Sequence, residues 1–122
     1  MLTVTNADIW QARPALLRLG KQPWPMKTAY WLAKLTSKVN AEYLIVEQLR
    51  NELITRHGEL NEQGVPFING ESEHWAAFAT DHNELMAQTC EIDLDPVTLP
   101  DSAIEVTPED IVAVESFVRL AA

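Results

Sequence analysis

Residues 26–57 read MKTAYWLAKLTSKVNAEYLIVEQLRNELITRH and contain neither glycine nor proline. Pro25 suits the first turn of a helix, and Gly58 stands where helices commonly end, so the pattern predicts one helix from Met26 to His57. At the usual rise this helix is about 48 Å long, more than a compact domain of this size requires. We therefore expect it to pack against a partner helix.

Apolar residues occupy two faces of this predicted helix. The first set follows the a and d positions of a seven-residue repeat, interrupted by Glu42 at one d position: Leu32, Leu35, Val39, Val46, Leu49 and Leu53. The second set widens the apolar surface: Tyr30, Ala33, Ala41, Leu44 and Ile45. Two apolar faces indicate that the helix packs against more than one neighbour.

The segments on either side of this helix predict shorter elements. Thr5 or Asn6 can cap a first short helix, which Pro14 should break or kink. Residues 20–25 read GKQPWP and indicate a tight linker. After the long helix, residues 59–70 are rich in turn residues and predict a small β-hairpin or extended loop, with Pro66 limiting any strand to an edge.

The remainder predicts a third helix, an extended segment and a last short helix. Ser72 is the expected cap of the third helix, whose apolar stripe recurs at three and four: Trp75, Phe78, Ala79, His82, Leu85, Met86 and Thr89. Residues 91–100 alternate, which indicates an extended segment with Ile92 and Leu94 inward. Thr107 and Pro108 begin the last helix, with its buried face at Ile111, Val114, Phe117 and Val118.

These elements predict a single, mainly α domain over residues 1–122. Its centre is a long antiparallel helical hairpin, formed because the third helix folds back along the long one. Short helices stand at both ends, and a small β-hairpin or extended element completes the fold. A chain of 122 residues is long enough to bury a core without disulfides.

Charge divides the chain into two unlike parts. Residues 1–57 carry eight Lys and Arg against four Asp and Glu, a formal charge of +4. Residues 58–122 carry fourteen Asp and Glu against Arg119 alone, a charge of −13, so the whole chain has −9. Oppositely charged parts can neutralise each other within one molecule or between neighbours. The split indicates assembly or binding rather than chemistry.

No recognised catalytic, cofactor or metal motif accompanies this charge pattern, so we expect no enzyme activity, cofactor or metal. His74 and His82 are too far apart along a helix to share one ion. The single cysteine, Cys90, is expected to be a small buried apolar residue and favours a reducing compartment. Residues 1–8 lack a secretory signal and no apolar run reaches membrane-spanning length, so we expect a cytoplasmic protein without a membrane association.

A basic stripe with an aromatic residue lies on the long helix. Lys27, Trp31, Lys34 and Lys38 are spaced by four, three and four and therefore share one face. Trp24 precedes them between two prolines. This face could bind a protein partner or another copy of the chain, or it could be a solvated face in which lysine stems cover Trp31. Nucleic acid is the weakest of these alternatives, because a molecule of −9 repels it. Glu91, Asp93 and Asp95 form the candidate acidic complement.

The order of local motifs resembles small uncharacterised proteins encoded by tailed bacteriophages and prophages. The motifs are Leu17 and Leu19 before Pro25-Met26-Lys27-Thr28-Ala29-Tyr30, then Arg56-His57-Gly58-Glu59, Asn61-Glu62-Gln63-Gly64, the segment Glu91 to Leu99, and Thr107-Pro108-Glu109-Asp110. The resemblance covers most of the chain. It implies a fold and a phage or bacterial-host setting, with association to the virion as one location, and it carries no catalytic residue.

Together these features predict a non-enzymatic phage or prophage accessory protein that acts by protein–protein contact. We expect it to self-associate as an assembly or structural factor, with a phage or host protein as a further partner. The alternative is an acidic inhibitor that imitates nucleic acid and blocks a host defence or DNA-binding protein. The charge of −13 on residues 58–122 motivates this alternative, since close carboxylates can occupy a site for phosphates.

Overall fold

The computed structural model describes residues 1–100 and 107–120 and is mainly helical. In this part of the chain the helices are α1 (Asn6–Leu19), α2 (Met26–His57), α3 (Trp75–Ala87) and α4 (Pro108–Val114). The strands are β1 (Leu2–Thr5), β2 (Glu59–Leu60), β3 (Pro66–Phe67), β4 (Thr89–Ile92), β5 (Val97–Leu99) and β6 (Val118–Leu120).

The long helix and its return helix form the predicted pair, so the predicted fold class is confirmed. α2 has the predicted bounds, with Pro25 as its N-cap. α3 runs back along it: His57 Nε2, at the end of α2, lies 3.0 Å from Asp81 Oδ2. At the other end of α3, the Leu85 carbonyl accepts from Asn6 Nδ2 of α1 at 2.8 Å. The start of α1 in turn stacks its Trp10 ring on Tyr43, in the middle of α2, with ring centres 4.8 Å apart. The two helices are therefore antiparallel.

α1 runs through Pro14 without a break, so the predicted break is wrong. Thr5 caps the helix: its hydroxyl accepts from the Asp8 N–H at 3.1 Å, and the Asp8 carboxylate accepts from the Thr5 N–H at 3.0 Å. Pro14 is exposed, whereas Ala12, Ala15, Leu16 and Leu19 are at most 2% exposed. Packing of that buried face offsets the one backbone hydrogen bond that proline removes.

Two strand pairs involve the first and the last strand of the described chain, and neither was predicted as a pair. β1 pairs antiparallel with β4, and β5 pairs parallel with β6. The last helix stops at Val114, so the predicted helical position of Val118 is wrong; Val118 starts β6 opposite Val97. Phe117 stays fully buried, and its carbonyl accepts from the Val97 N–H at 3.0 Å. Hydrogen bonds to β5 replace those of a further helical turn.

Both predicted ends of the third helix need correction. His74, not Ser72, is the N-cap of α3; the Ser72 hydroxyl, two residues earlier, accepts from the His74 N–H at 3.3 Å. Thr89 lies in β4 rather than on the helical stripe, because β1 supplies it with a strand partner. The expected extended segment is present as β4 and β5, with Ile92 3% exposed and Leu94 half-buried.

The predicted hairpin is formed by β2 and β3, and Gly58 joins it to α2. Gly64, with φ of 75°, makes the turn in a conformation that favours glycine. Gly58 has an extended φ of −94°, so its small size matters instead. A Cβ there would lie 2.2 Å from the Phe67 carbonyl oxygen and 2.5 Å from that of Ile54. Only glycine lets β3 approach the end of α2 this closely.

The main core lies around α1 and the first half of α2. It joins α1 to Leu32, Leu35 and Val39 of α2 and to the strands and helix near both termini. The second apolar set of α2 is exposed (Tyr30, Ala33, Ala41, Leu44 and Ile45), so it is not this set that gives the helix its several neighbours. α2 does contact several neighbours, namely α1, α3, β3 and β5, but through its other face.

Candidate protein-interaction site

The basic stripe of α2 and the acidic segment after β4 face each other across an open cleft of about 900 Å³. Its α2 wall carries Lys27, Trp31, Lys34 and Lys38, and the opposite wall carries Asp93 and Asp95. Six of the eight residues predicted to bind a partner therefore line one cleft. The sequence spacing put the first four on one face, and the fold brought the two carboxylates to them.

The α2 wall is arranged around the Trp31 ring. Lys34 Nζ lies 5.2 Å from the centre of the Trp31 ring and equally far from that of Tyr30. The two rings meet edge to face with centres 5.4 Å apart. Such a lysine–aromatic contact is what we expect if this face is simply solvated, with lysine stems covering Trp31. Trp31 nevertheless remains 39% exposed, so part of its ring can still contact another molecule.

The acidic wall is fixed by the strands on both sides of it. β4 ends at Ile92, and Val97 and Leu99 of β5 are buried, so the segment between the strands is anchored at both ends. Asp95 Oδ1 accepts from the Met1 ammonium group at 3.4 Å. Among residues 1–100 and 107–120, no carboxylate lies within 4.0 Å of the ammonium groups of Lys27, Lys34 or Lys38. The lysines thus face the aspartates without direct pairing to them.

Trp24 and Glu91 do not line the cleft. Trp24 is half-buried against the main core, and its indole Nε1 donates to the Leu19 carbonyl at 2.8 Å. It therefore fixes the linker between α1 and α2. Glu91 is exposed on β4 opposite Thr3, while its neighbours Cys90 and Ile92 pack inward. The alternation of a strand separates it from the core side.

The helix face that carries the basic stripe stays exposed beyond the cleft, and the sequence did not reveal this. Ala41, Ile45, Leu49, Glu52 and Arg56 follow Lys38 at steps of three or four residues, so they share its face. All are exposed, and Ile45 and Leu49 are 54% and 41% exposed. We call Lys27, Trp31, Lys34, Lys38 and these five residues the outer face of α2. The spacing of these residues already placed them on one face. From the sequence, Leu49 was instead assigned to the first apolar set and Ile45 to the second.

Two titratable groups outside the cleft, His82 and Asp110, have shifted pKa values. The pKa of His82 is lowered by burial and by the charge of Arg50, and its ring lies 5.4 Å from that of Phe78. Asp110 is 7% exposed and is held by the Arg18 guanidinium, which lowers the pKa of the carboxyl. In the part of the chain that the structure describes, no three His, Cys, Asp or Glu side chains group as metal ligands would.

Comparison of the chain with protein-family models, with curated proteins and with solved structures gives no match. The structure offers one further restriction: over residues 1–100 and 107–120, no helix combines the length and apolar character needed to cross a membrane.

Proposed function

We propose that this chain is a non-enzymatic accessory protein of a tailed bacteriophage or prophage that acts by protein–protein contact and self-associates. The phage setting comes from the order of sequence motifs. The contact role rests on one observation, the exposure of the outer face of α2 along the whole helix. A face that exposes a tryptophan and two large aliphatic side chains in one row resembles an interface more than an ordinary solvated helix face.

The occupant that we favour is a second copy of the chain. The molecule carries both signs of charge in separate parts, +4 on residues 1–57 and −13 on residues 58–122. The basic part of one copy can therefore contact the acidic part of another, although the net charges of the two copies repel at long range. Assembly proteins commonly form closed symmetric oligomers, in which such self-complementary surfaces recur.

The test is the mass of the protein in solution across a concentration series, measured by sedimentation velocity. We expect the wild-type chain to shift from monomer to oligomer within the micromolar range. Ile45→Ser should raise the dissociation constant about tenfold or more, because each copy loses an apolar contact. Val112→Ser is the matched control, since Val112 is 63% exposed on α4, away from α2. A wild-type chain that stays monomeric up to several hundred micromolar contradicts self-association.

The setting is tested by affinity capture of the tagged protein from host cells, with and without induction of the phage genes. The proposed location is the bacterial cytoplasm or the assembling particle. Recovery of phage structural or assembly proteins supports the accessory role. Recovery of the chain alone limits the proposal to self-association.

A second function, imitation of nucleic acid, is favoured by the exposure of the acidic side chains. Among the described acids of residues 58–122, all but Asp81 and Asp110 are exposed and available to a basic partner. Asp101 and Glu105, which also belong to the acidic run considered for this role, lie outside the described residues. Capture of one basic host protein without other phage products, lost when Glu91, Asp93 and Asp95 become amides, would favour this function over assembly.

A further inference from the structure

We infer that two copies pair through the outer face of α2 in an antiparallel, two-fold arrangement, with the lysine cleft of each copy facing the acidic hairpin of the other. The inference rests on the proposed self-association and specifies its interface. It follows from the order of residues along one helix face, which carries three lysines at one end and apolar residues in the middle, and which ends in Glu52 and Arg56 before the acidic hairpin.

The cleft is a positive site on an acidic molecule. Its three lysines face two aspartates, and Asp95 is already paired with the Met1 ammonium group. The chain as a whole carries −9. An approaching anionic segment therefore finds a local attraction at the cleft and repulsion over most of the remaining surface. The exposed part of Trp31 adds an apolar contact, so the cleft suits a segment with both carboxylates and apolar side chains.

The hairpin at the other end of α2 has this chemistry. Glu59 and Glu62 are exposed on it, together with Leu60, Val65 and Phe67 at 67%, 54% and 38% exposure. Pro66 removes one backbone donor from its edge, so pairing with another strand is disfavoured and side-chain contacts dominate. The hairpin is thus complementary in charge and in apolar character to the cleft.

A copy cannot fill its own cleft with its own hairpin. Lys38 and His57 are separated by nineteen residues of continuous helix, about 28 Å at the usual rise. Since the helix is rigid over this length, the hairpin must reach a cleft on another copy. The complementarity is therefore between molecules.

An antiparallel pair brings the basic end of one copy to the hairpin end of the other, with one opposing contact: Arg56 and Lys34 each lie eleven residues from Ile45 and face each other as like charges. A two-fold axis at Ile45 places two Ile45 side chains together and brings Leu49 of each copy near Ala41 of the other. Lys38 and Glu52 each lie seven residues from Ile45, so they face each other across the pair. The helix ends at His57, twelve residues beyond the axis, which puts the hairpin at the level of the partner's cleft. The exposed apolar residues thus lie where a closed two-fold contact needs them.

Charge reversal with rescue tests the register. Lys38→Glu should raise the dissociation constant about tenfold or more at low salt, and the double variant Lys38→Glu with Glu52→Lys should restore it. Lys21→Glu is the matched control, because it gives the same net charge from an exposed position outside the cleft. The loss should shrink in high salt, since exposed charges are screened. A chain that oligomerises equally well as wild type and as Lys38→Glu overturns the inference and leaves self-association standing.

Cysteine cross-linking tests the direction of the helices, on a background in which Cys90 is replaced by Ser. In the antiparallel pair, a mixture of Lys38→Cys and Glu52→Cys chains should form a disulfide-linked dimer. Neither variant should do so alone, because identical positions lie about 20 Å apart along the axis. Cross-linking of Lys38→Cys with itself would indicate a parallel pair and overturn the inference. A wild-type chain that is monomeric throughout contradicts the proposed function itself, a result distinct from either of these.

Discussion

The two halves of α2 lie in different surroundings. In the first half, Leu32, Leu35 and Val39 are at most 2% exposed and join the main core with α1 and β5. In the second half, Val46 is buried, whereas Ile45 and Leu49 remain about half exposed. α3 and the short hairpin cover one side of this second half. The first half of α2 is thus part of the core, whereas the second half, from Ala41 to His57, keeps one face exposed. We call this second half the arm.

This difference indicates where stability and interaction reside. The inward side of the first half packs in the main core, so Leu32, Leu35 and Val39 have apolar partners in the chain. The second half still meets α1, where Trp10 stacks on Tyr43 with ring centres 4.8 Å apart and Arg50 lies 5.3 Å from the Trp10 ring, but its outer face is left open. The aliphatic side chains exposed on this half, Ile45 and Leu49, bury little area within the chain. The arm supplies the surface that we propose as the interface.

The sharpest contrast between the halves is a pair of leucine-to-alanine variants. Leu35→Ala, at a fully buried position, should lower the free energy of unfolding by about 2–5 kcal/mol, because a cavity remains in the core. Leu49→Ala, at a position 41% exposed, should lower it by less than about 1 kcal/mol. Urea unfolding of the monomer followed by circular dichroism measures both. Equal losses would show that the arm is as tightly packed as the core.

The junction of α2 with the hairpin gives the next largest effect. Gly58→Ala should lower the free energy of unfolding by about 1–3 kcal/mol, because the new methyl group meets the carbonyl of Phe67. Hydrogen exchange of the amides in residues 59–67 should rise more than exchange in α1. Gly70→Ala is the control, since nothing lies within 4 Å of a Cβ there. If both variants behave like wild type, the close approach of β3 to α2 is not as described.

The smallest effect concerns acid stability of the core half. Arg18 lowers the pKa of Asp110 below its ordinary value of 3.8, so the ion pair stabilises the folded state fully above that value. This contribution disappears as the pH falls through the lowered pKa of the folded state. Asp110→Asn should therefore be less stable than wild type at pH 7, and the difference should shrink towards pH 2. A difference that is constant with pH would mean that the carboxylate charge contributes nothing.

Local sequence signals were sufficient for the elements that depend on local chemistry. The absence of glycine and proline from residues 26–57 predicted α2 with its observed bounds. The Thr5 and Thr107 caps predicted the starts of α1 and α4. The spacing of Lys27, Trp31, Lys34 and Lys38 predicted one wall of the cleft. Each of these signals acts within one or two turns of the chain.

Long-range contacts account for what the sequence did not reveal. Pro14 is accommodated because α1 is buried on the side away from it. Val118 leaves the helix because β5, twenty-one residues earlier, offers a parallel strand partner. Trp24 was assigned to a contact surface, but its indole donates to the Leu19 carbonyl. None of these partners can be identified from residue types alone.

The sequence by itself determined the long helix, its caps and its charge pattern, because these depend on backbone preferences and spacing along the chain. Only the tertiary structure decided which face of α2 is buried, since both faces carry apolar residues of similar size. It also decided that Asp93 and Asp95 stand opposite the lysines, through strand pairs between distant segments. Packing against α1 and α3 covers one face of the helix and leaves the other exposed. That outcome depends on contacts between segments that are distant in the sequence.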